Sequence, residues 1–334
     1  MLTSLAGAPA SSPAPTSERP AYRSFRVRVA RVERLAPHFT SITFTGDELD
    51  RFGTAGLDQR VKVVLPLPEV GFAAFPEGED WYAAWRELPP RLRNPFRTYT
   101  VRAVRPHSRE VDLVFVAHGD AGPASAWAAS AAPGDEIVLI GPDEFSAGRT
   151  VGIDWRPGDV ETLVLAGDET AAPAIASILE SLPHDARGIA MIEVPSARDR
   201  LEIVAPEGVE VRWLPRDATG CTNGELLVPA VRDWVVRHLA ARGPARTADA
   251  DDAPQAEAEL AAAELAAAER AESGDAPLWD VPEGHSLDGD CYAWLAGEAS
   301  AITTLRRFLV REAGLDRRQV AFMGYWRMGR AELD

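Results

Sequence analysis

The chain has 334 residues, 46% of them hydrophobic and 9 of them tryptophan, enough to bury a large core in two domains and too apolar for a disordered or fibrous chain. A formal net charge of −16 argues against a surface that coats nucleic acid or an anionic membrane. The two cysteines, Cys221 and Cys291, are far apart and lack metal-ligand spacing, so neither a disulfide framework nor a zinc site is expected and a reducing, cytoplasmic setting suits them.

Residues 1–21 are rich in Ala, Ser and Pro, without an apolar stretch or a basic leader, and read as a flexible leader rather than a secretion signal. No window has the apolar length of a membrane span. Over residues 22–150 the pattern is of short alternating strands: Ser24–Glu33, Phe39–Thr45, Arg60–Leu65, Arg97–Val104, Val111–Ala117 and Glu136–Ile140. Turn signals such as Gly46-Asp47 and Pro133-Gly134-Asp135 separate them, which predicts an antiparallel β-barrel. The stretch from Pro66 to Asn94, with Trp81, Tyr82 and Trp85, breaks this rhythm and predicts a long loop carrying a short helix.

Two motifs in the barrel suggest a pocket for a flavin and its phosphates. Along Arg97-Thr98-Tyr99-Thr100-Val101-Arg102, strand alternation puts Arg97, Tyr99 and Val101 on one face and Thr98, Thr100 and Arg102 on the other. Arg97 offers a planar fork of donors to a phosphate, Tyr99 a ring to lie along a ring system, and Thr100 a hydroxyl to its edge. The second motif, His118-Gly119-Asp120-Ala121-Gly122-Pro123-Ala124-Ser125-Ala126-Trp127, takes a strand into a small-residue helix. Gly122 and Pro123 allow a close turn, and the amides of Ala124, Ser125 and Ala126 with the Ser125 hydroxyl suit a pyrophosphate. His118, Gly119 and Trp127 complete the candidate FAD site.

Residues 151–334 change to alternating strands and helices. The strands are Thr162–Ala166, Gly188–Val194, Val209–Leu214, Cys291–Ala296 and Gln319–Tyr325, and the helices Thr170–Leu182, Leu226–Ala240 and Glu298–Ala313. Short apolar strands alternating with helices predict a parallel sheet covered on both faces. Gly167-Asp168-Glu169-Thr170 follows the first of these strands, and Gly297-Glu298 ends the fourth. Both fall at the carboxyl edge, where nucleotides bind in such sheets, and their small residues permit close approach of a dinucleotide. Glu193 could accept hydrogen bonds from an unphosphorylated ribose, whereas Ser196, Arg198 and Arg200 could hold a 2′-phosphate, so NADH and NADPH both stay open. Residues 242–275, with Ala-Glu repeats from Ala256 to Ala271, read as an insertion that forms a solvated helix or a loop without chemistry.

The two barrel motifs in this order, a barrel followed by a parallel sheet, and the terminal Gly324-Tyr325-Trp326-Arg327-Met328-Gly329-Arg330 resemble the siderophore-interacting proteins of the ferredoxin-reductase superfamily, from about Tyr22 to about Glu332. The resemblance implies an α+β two-domain fold: an antiparallel β-barrel FAD-binding domain, then an α/β parallel-sheet nicotinamide-nucleotide-binding domain. It implies a flavoenzyme passing electrons from NADH or NADPH through FAD to siderophore-bound Fe(III), with a general flavin or electron-carrier oxidoreductase and a non-catalytic siderophore carrier as alternatives. In the family, basic side chains around the flavin face attract the ferric siderophore. Lys62 lies in a matching strand motif, and as the one lysine in a chain whose other cations are arginines it suggests that a point charge is wanted there. Arg327 and Arg330 are further candidates, and Tyr325 or Trp326 could cover the flavin. No metal ligands are expected from the chain.

Overall fold

The computed structural model describes residues 19–78, 80–117, 122–242, 279–280 and 291–329. His118, Gly119, Arg330, most of the 1–21 leader and nearly all of the 242–275 insertion lie outside the described residues. The first half is a closed barrel of β1 (Tyr22–Ala36), β2 (Phe39–Thr45), β3 (Arg60–Val64), β4 (Phe96–Arg105), β5 (Glu110–Val116) and β6 (Glu136–Pro142), ordered β1-β2-β5-β4-β3-β6. Strand alternation builds its core. Phe25, Val27 and Val29 of β1 point inward while Arg26 and Arg28 are exposed, and Ile42, Phe44, Leu113, Phe115, Ile137 and Leu139 complete the interior. The helix α1 (Trp81–Glu87) supplies Trp81 and Trp85 to a second cluster outside β3 and β6, with Val64, Phe75, Val138 and Ile140. The helix α2 (Pro123–Ser130) packs Ala124, Ala128 and Trp127 against the interior cluster.

The second half is a sheet ordered β10-β12-β11-β7-β8-β9, made from β7 (Thr162–Gly167), β8 (Gly188–Val194), β9 (Val209–Pro215), β10 (Trp279–Asp280), β11 (Cys291–Glu298) and β12 (Val320–Trp326). All pairs are parallel except β10 with β12. Every residue of β7 and of β11 is buried, as both-face coverage requires. On one face lies α3 (Ala172–Ser181); on the other lie α4 (Leu227–Arg242) and α5 (Ala299–Arg307). Helix α3 is buried from Ala172 through Leu179 because barrel residues Phe39, Val114 and Val116 share its cluster. Small alanines on this helix allow both neighbours to approach.

Several expected elements shift. Helix α3 starts at Ala172 rather than Thr170, since Asp168 and Thr170 form a tight turn ahead of it. The helix expected over Glu298–Ala313 is α5 followed by a π-helical turn at Phe308–Glu312. Strand β10 has no counterpart in the sequence reading, because two residues carry no periodicity.

Polar side chains tie the halves together. Asp58, just before β3, is buried and accepts from Asp154 N (3.2 Å), Trp155 N (3.1 Å) and Trp294 Nε1 of β11 (3.0 Å). His38 lies 2.8 Å from Asp199 beyond β8, and Arg102 of β4 clasps Glu180 of α3 through two bonds of 2.8 and 2.6 Å. Burial, then the charge of Asp154, push the Asp58 carboxyl up from 3.8 to about 6, against the opposing effect of its three donors. The folded state therefore binds this proton more tightly than the unfolded chain does. The Asp58 contribution should stabilise the fold as pH falls from about 6 to about 4, by roughly 3 kcal/mol at most. Denaturation of wild type and Asp58→Asn across that range checks this, and a stability difference independent of pH would contradict it.

Candidate functional site

The β4 strand faces two environments. Tyr99 and Val101 point toward the barrel interior, the Tyr99 ring 4.5 Å from that of Phe115. Thr98 and Thr100 point outward, where Thr98 accepts from Lys62 Nζ at 3.4 Å and Thr100 is hydrogen-bonded to Tyr325 at the end of β12. Burial pushes the Tyr325 hydroxyl well above its ordinary range. The alternation expected along Arg97–Arg102 is thus present, and it ends at a register shift between Val101 and Ala103. Arg102, a candidate flavin contact, pairs with Glu180 and joins the two halves.

Arg97 is half-buried beside the end of β3, opposite Val63, and its Nη1 donates to Phe96 O at 2.7 Å. Helix α2 begins with Gly122 as N-cap and Pro123 in its first turn, and no side chain caps it. That leaves the first-turn amides at Ala124 and Ser125 without the side-chain acceptor that usually meets them. Trp127, one turn on, stacks against Phe44 with centroids 6.2 Å apart and lies 5.8 Å from Phe115. An uncapped helix start, a guanidinium and a half-buried tyrosine ring form a donor set that fits FAD. A cavity of about 680 Å³ beside Trp127 is lined by Arg26, Pro66, Phe72, Glu77, Asp135 and Glu136 among others, and takes in none of Arg97, Tyr99 or Thr100.

The carboxyl edge of the sheet is organised by buried carboxylates. Strands β8 and β9 lie on one side of β7, and β11 and β12 on the other, so the order reverses between β7 and β11. Gly167 and Gly297 stand at that reversal. A Cβ on Gly167 would lie 2.5 Å from Ala296 O, and Gly297 has φ +143° with its Cβ direction 2.6 Å from Asp168 Oδ2. Asp168 accepts from Thr170 N (2.9 Å) and Oγ1 (2.5 Å), Asn223 Nδ2 (3.3 Å), Glu298 N (2.7 Å) and Trp326 Nε1 (2.8 Å). Burial and the neighbouring Glu169 nonetheless push its carboxyl up.

Glu298 accepts from Ser300 N, Ala301 N and the Ser300 hydroxyl at the start of α5, and from Met328 N at 3.3 Å. Glu169 is paired in two bonds with Arg216 at the end of β9. The nucleotide-side candidates Gly167, Asp168, Glu169, Thr170, Gly297 and Glu298 thus meet at one edge, but the three carboxylates serve neighbouring protein donors, so what they shape for a ligand is the backbone around them. The reading of Glu193 as a ribose acceptor is corrected. It is fully buried, and its oxygens accept from Arg216 and from the amides of Gly224, Leu226 and Leu227 around the start of α4.

On the acceptor side, Lys62 lies on the outer face of β3 with its Nζ 5.0 Å from the Phe96 ring centroid. Arg327 is half-buried just past β12. Sequence reasoning missed Asp58, Asn223 and Trp294, whose partners are remote in the chain. Among the described residues no group of His, Cys, Asp and Glu side chains could hold a metal ion, and no helix is long and apolar enough to cross a membrane.

Residues 160–329 match the siderophore-interacting protein family, and residues 28–145 match the siderophore-interacting FAD-binding domain. An uncharacterised protein of Mycobacterium tuberculosis is 33% identical over 309 residues, 91% of this chain and 90% of that one. The ferric vibriobactin reductase ViuB of Vibrio cholerae is 33% identical over 187 residues, 56% of this chain and 65% of its own length. The NADPH-dependent ferric-chelate reductase of Escherichia coli is 30% identical over 207 residues, 60% and 76% of the two chains. Among solved structures, a siderophore utilization protein from T. fusca superposes with a TM-score of 0.65 at 27% identity, covering 96% of this chain and 98% of its own. A ferredoxin NADP+ reductase from Neisseria gonorrhoeae superposes with a TM-score of 0.52 at 15% identity, over 91% of this chain and 99% of its own. The fold is that of the ferredoxin reductases.

Proposed function

Because this chain belongs to the siderophore-interacting protein family, we propose that it is a ferric-siderophore reductase drawing electrons from NADH or NADPH through FAD. The observation that supports this reading is the hydrogen bond between Thr100 of β4 and Tyr325 of β12, which ties the strand carrying the flavin candidates to the strand paired with Gly297 at the reversal of the sheet edge. The ferric reductases among its relatives agree with it.

FAD, when bound, accepts two electrons together as a hydride and releases them one at a time. The balance is one nucleotide oxidised and one proton released for each two Fe(III) reduced to Fe(II). The protein supplies position. Arg97 and the amides of Ala124 and Ser125 would hold the phosphates, Tyr99 would lie along the ring system, and Thr100 would meet its edge. The phosphates of the nucleotide would lie over the turn from Gly167 to Thr170. On the iron side, Lys62, with Arg327 and Arg330, would draw an anionic ferric siderophore toward the flavin. The ligands of the iron come from the siderophore, and reduction weakens their hold.

Steady-state oxidation of NADH or NADPH with ferric siderophores, free flavin and quinones as acceptors tests this function, with a ferrous chelator trapping the product. Ferric siderophores should be the preferred acceptors; preference for free flavin or quinone would favour a general oxidoreductase. Lys62→Ala should raise the siderophore KM several-fold at low ionic strength while leaving flavin reduction by the nucleotide unchanged. The defect should shrink as salt rises, because screening removes what the variant lacks. Equal KM values at low salt would remove Lys62 from the acceptor site.

A further inference from the structure

Resting on the reading that a nicotinamide nucleotide feeds this site, we infer that Asp217 sets the choice of nucleotide, accepting hydrogen bonds from the ribose diol of NADH and repelling the 2′-phosphate of NADPH. In an open parallel sheet a dinucleotide lies across the carboxyl edge from the reversal of strand order. Its pyrophosphate sits at the first strand-to-helix turn and its adenosine ribose beyond the next strand. Here the first turn follows β7 and the next strand is β8.

Strands β8 and β9 leave the edge side by side. Val194 is in register with Pro215, and Arg216 N donates to Val194 O at 3.0 Å. Two residues beyond that pair on each strand stand Ser196 and Asp217. The Ser196 side chain is hydrogen-bonded to the Asp217 carboxylate, which also accepts from Ala197 N at 3.2 Å. These bonds hold its carboxyl below the usual range, so Asp217 is charged wherever the enzyme works. Its side chain is exposed.

The neighbouring charges narrow the assignment. Glu193, the carboxylate near the end of β8, is buried and occupied. Arg216 is taken up by Glu169 and Glu193, and Asp199 by His38. Ser196, a residue type suited to a phosphate, bonds to Asp217 and accepts from Arg198 N at 3.1 Å. The cations left for a 2′-phosphate are the exposed Arg198 and Arg200. Both are exposed, whereas the Asp217 carboxylate accepts from Ser196 and from Ala197 N.

The test uses the full-length, flavin-loaded protein. Anaerobic flavin reduction by NADH and NADPH is measured alongside calorimetric titration with ADP-ribose and 2′-phospho-ADP-ribose, for wild type, Asp217→Asn, Asp217→Ala and Arg198→Ala. Asp217→Asn removes the charge while keeping an oxygen for Ser196 and Ala197. Wild type should favour NADH and ADP-ribose. Asp217→Asn and Asp217→Ala should narrow that preference about tenfold, as expected for one carboxylate near a phosphate dianion in a largely solvated site. Arg198→Ala should leave NADH preferred. A wild-type preference for NADPH, or an unchanged ratio in Asp217→Asn, would overturn the assignment. If neither nucleotide reduces the flavin, the functional reading fails, while the two ADP-ribose titrations still decide the role of Asp217; binding of neither overturns it.

Discussion

Arg97→Ala should release FAD. On the proposed reading the half-buried guanidinium, which also donates to Phe96 O, would hold the phosphates, so truncation would remove a charge-assisted, two-pronged contact to them. The strand itself should persist, because its register with β3 is carried by backbone pairs from Phe96 to Thr100 and the core beneath by Val63, Val101 and Leu113. Loss of such a contact costs about 1.5–3 kcal/mol, or roughly one to two decades of affinity. Flavin titration of the apoprotein, together with its unaltered thermal transition, would show this. An Arg97→Ala protein that binds FAD as tightly as wild type would move the phosphates elsewhere.

Asp168→Ala should be among the most destabilising single substitutions in the second half of the chain. It strands donors from four segments at once: Thr170 after β7, Asn223 before α4, Glu298 at the end of β11 and Trp326 at the end of β12. Each buried donor left without an acceptor costs about 1–3 kcal/mol, so a total of about 3–5 kcal/mol is expected once relaxation and water entry are allowed for. The elevated carboxyl pKa works in the opposite direction, since burial beside Glu169 makes this charge costly to keep. Asp168→Asn, which loses one acceptor and keeps the shape, should fall between the two. Denaturant midpoints check the order, and an Asp168→Ala protein within about 1 kcal/mol of wild type would mean that water substitutes for the carboxylate.

The fold was legible where local pattern determines structure. The alternation of Phe25, Val27 and Val29 and the unbroken apolar run of β7 told a half-buried barrel strand from a fully buried parallel one. The two faces of β4 followed from the same period-two rule. What stayed hidden were roles fixed by partners far along the chain. Arg102 has the composition of a phosphate ligand, and only Glu180, 78 residues on, gives it another task. Asp58 and Trp294 meet across 236 residues, and Asp168 and Trp326 across 158. Glu193 sat near the expected ribose, but the segment between β9 and α4 brings the amides of Gly224, Leu226 and Leu227 onto the carboxylate. A sequence shows which residues can do chemistry at an edge; which of them face the ligand depends on contacts that no periodicity encodes.

The most direct test is a single turnover under anaerobic conditions. The FAD-loaded protein is reduced with one equivalent of nicotinamide nucleotide and mixed with excess ferric siderophore, while flavin absorbance and a ferrous chelator are followed together. The account predicts that the flavin reoxidises without oxygen and that two Fe(II) appear for each flavin. A flavin that stays reduced beside bound ferric siderophore, and reoxidises only with oxygen or a quinone, would contradict it.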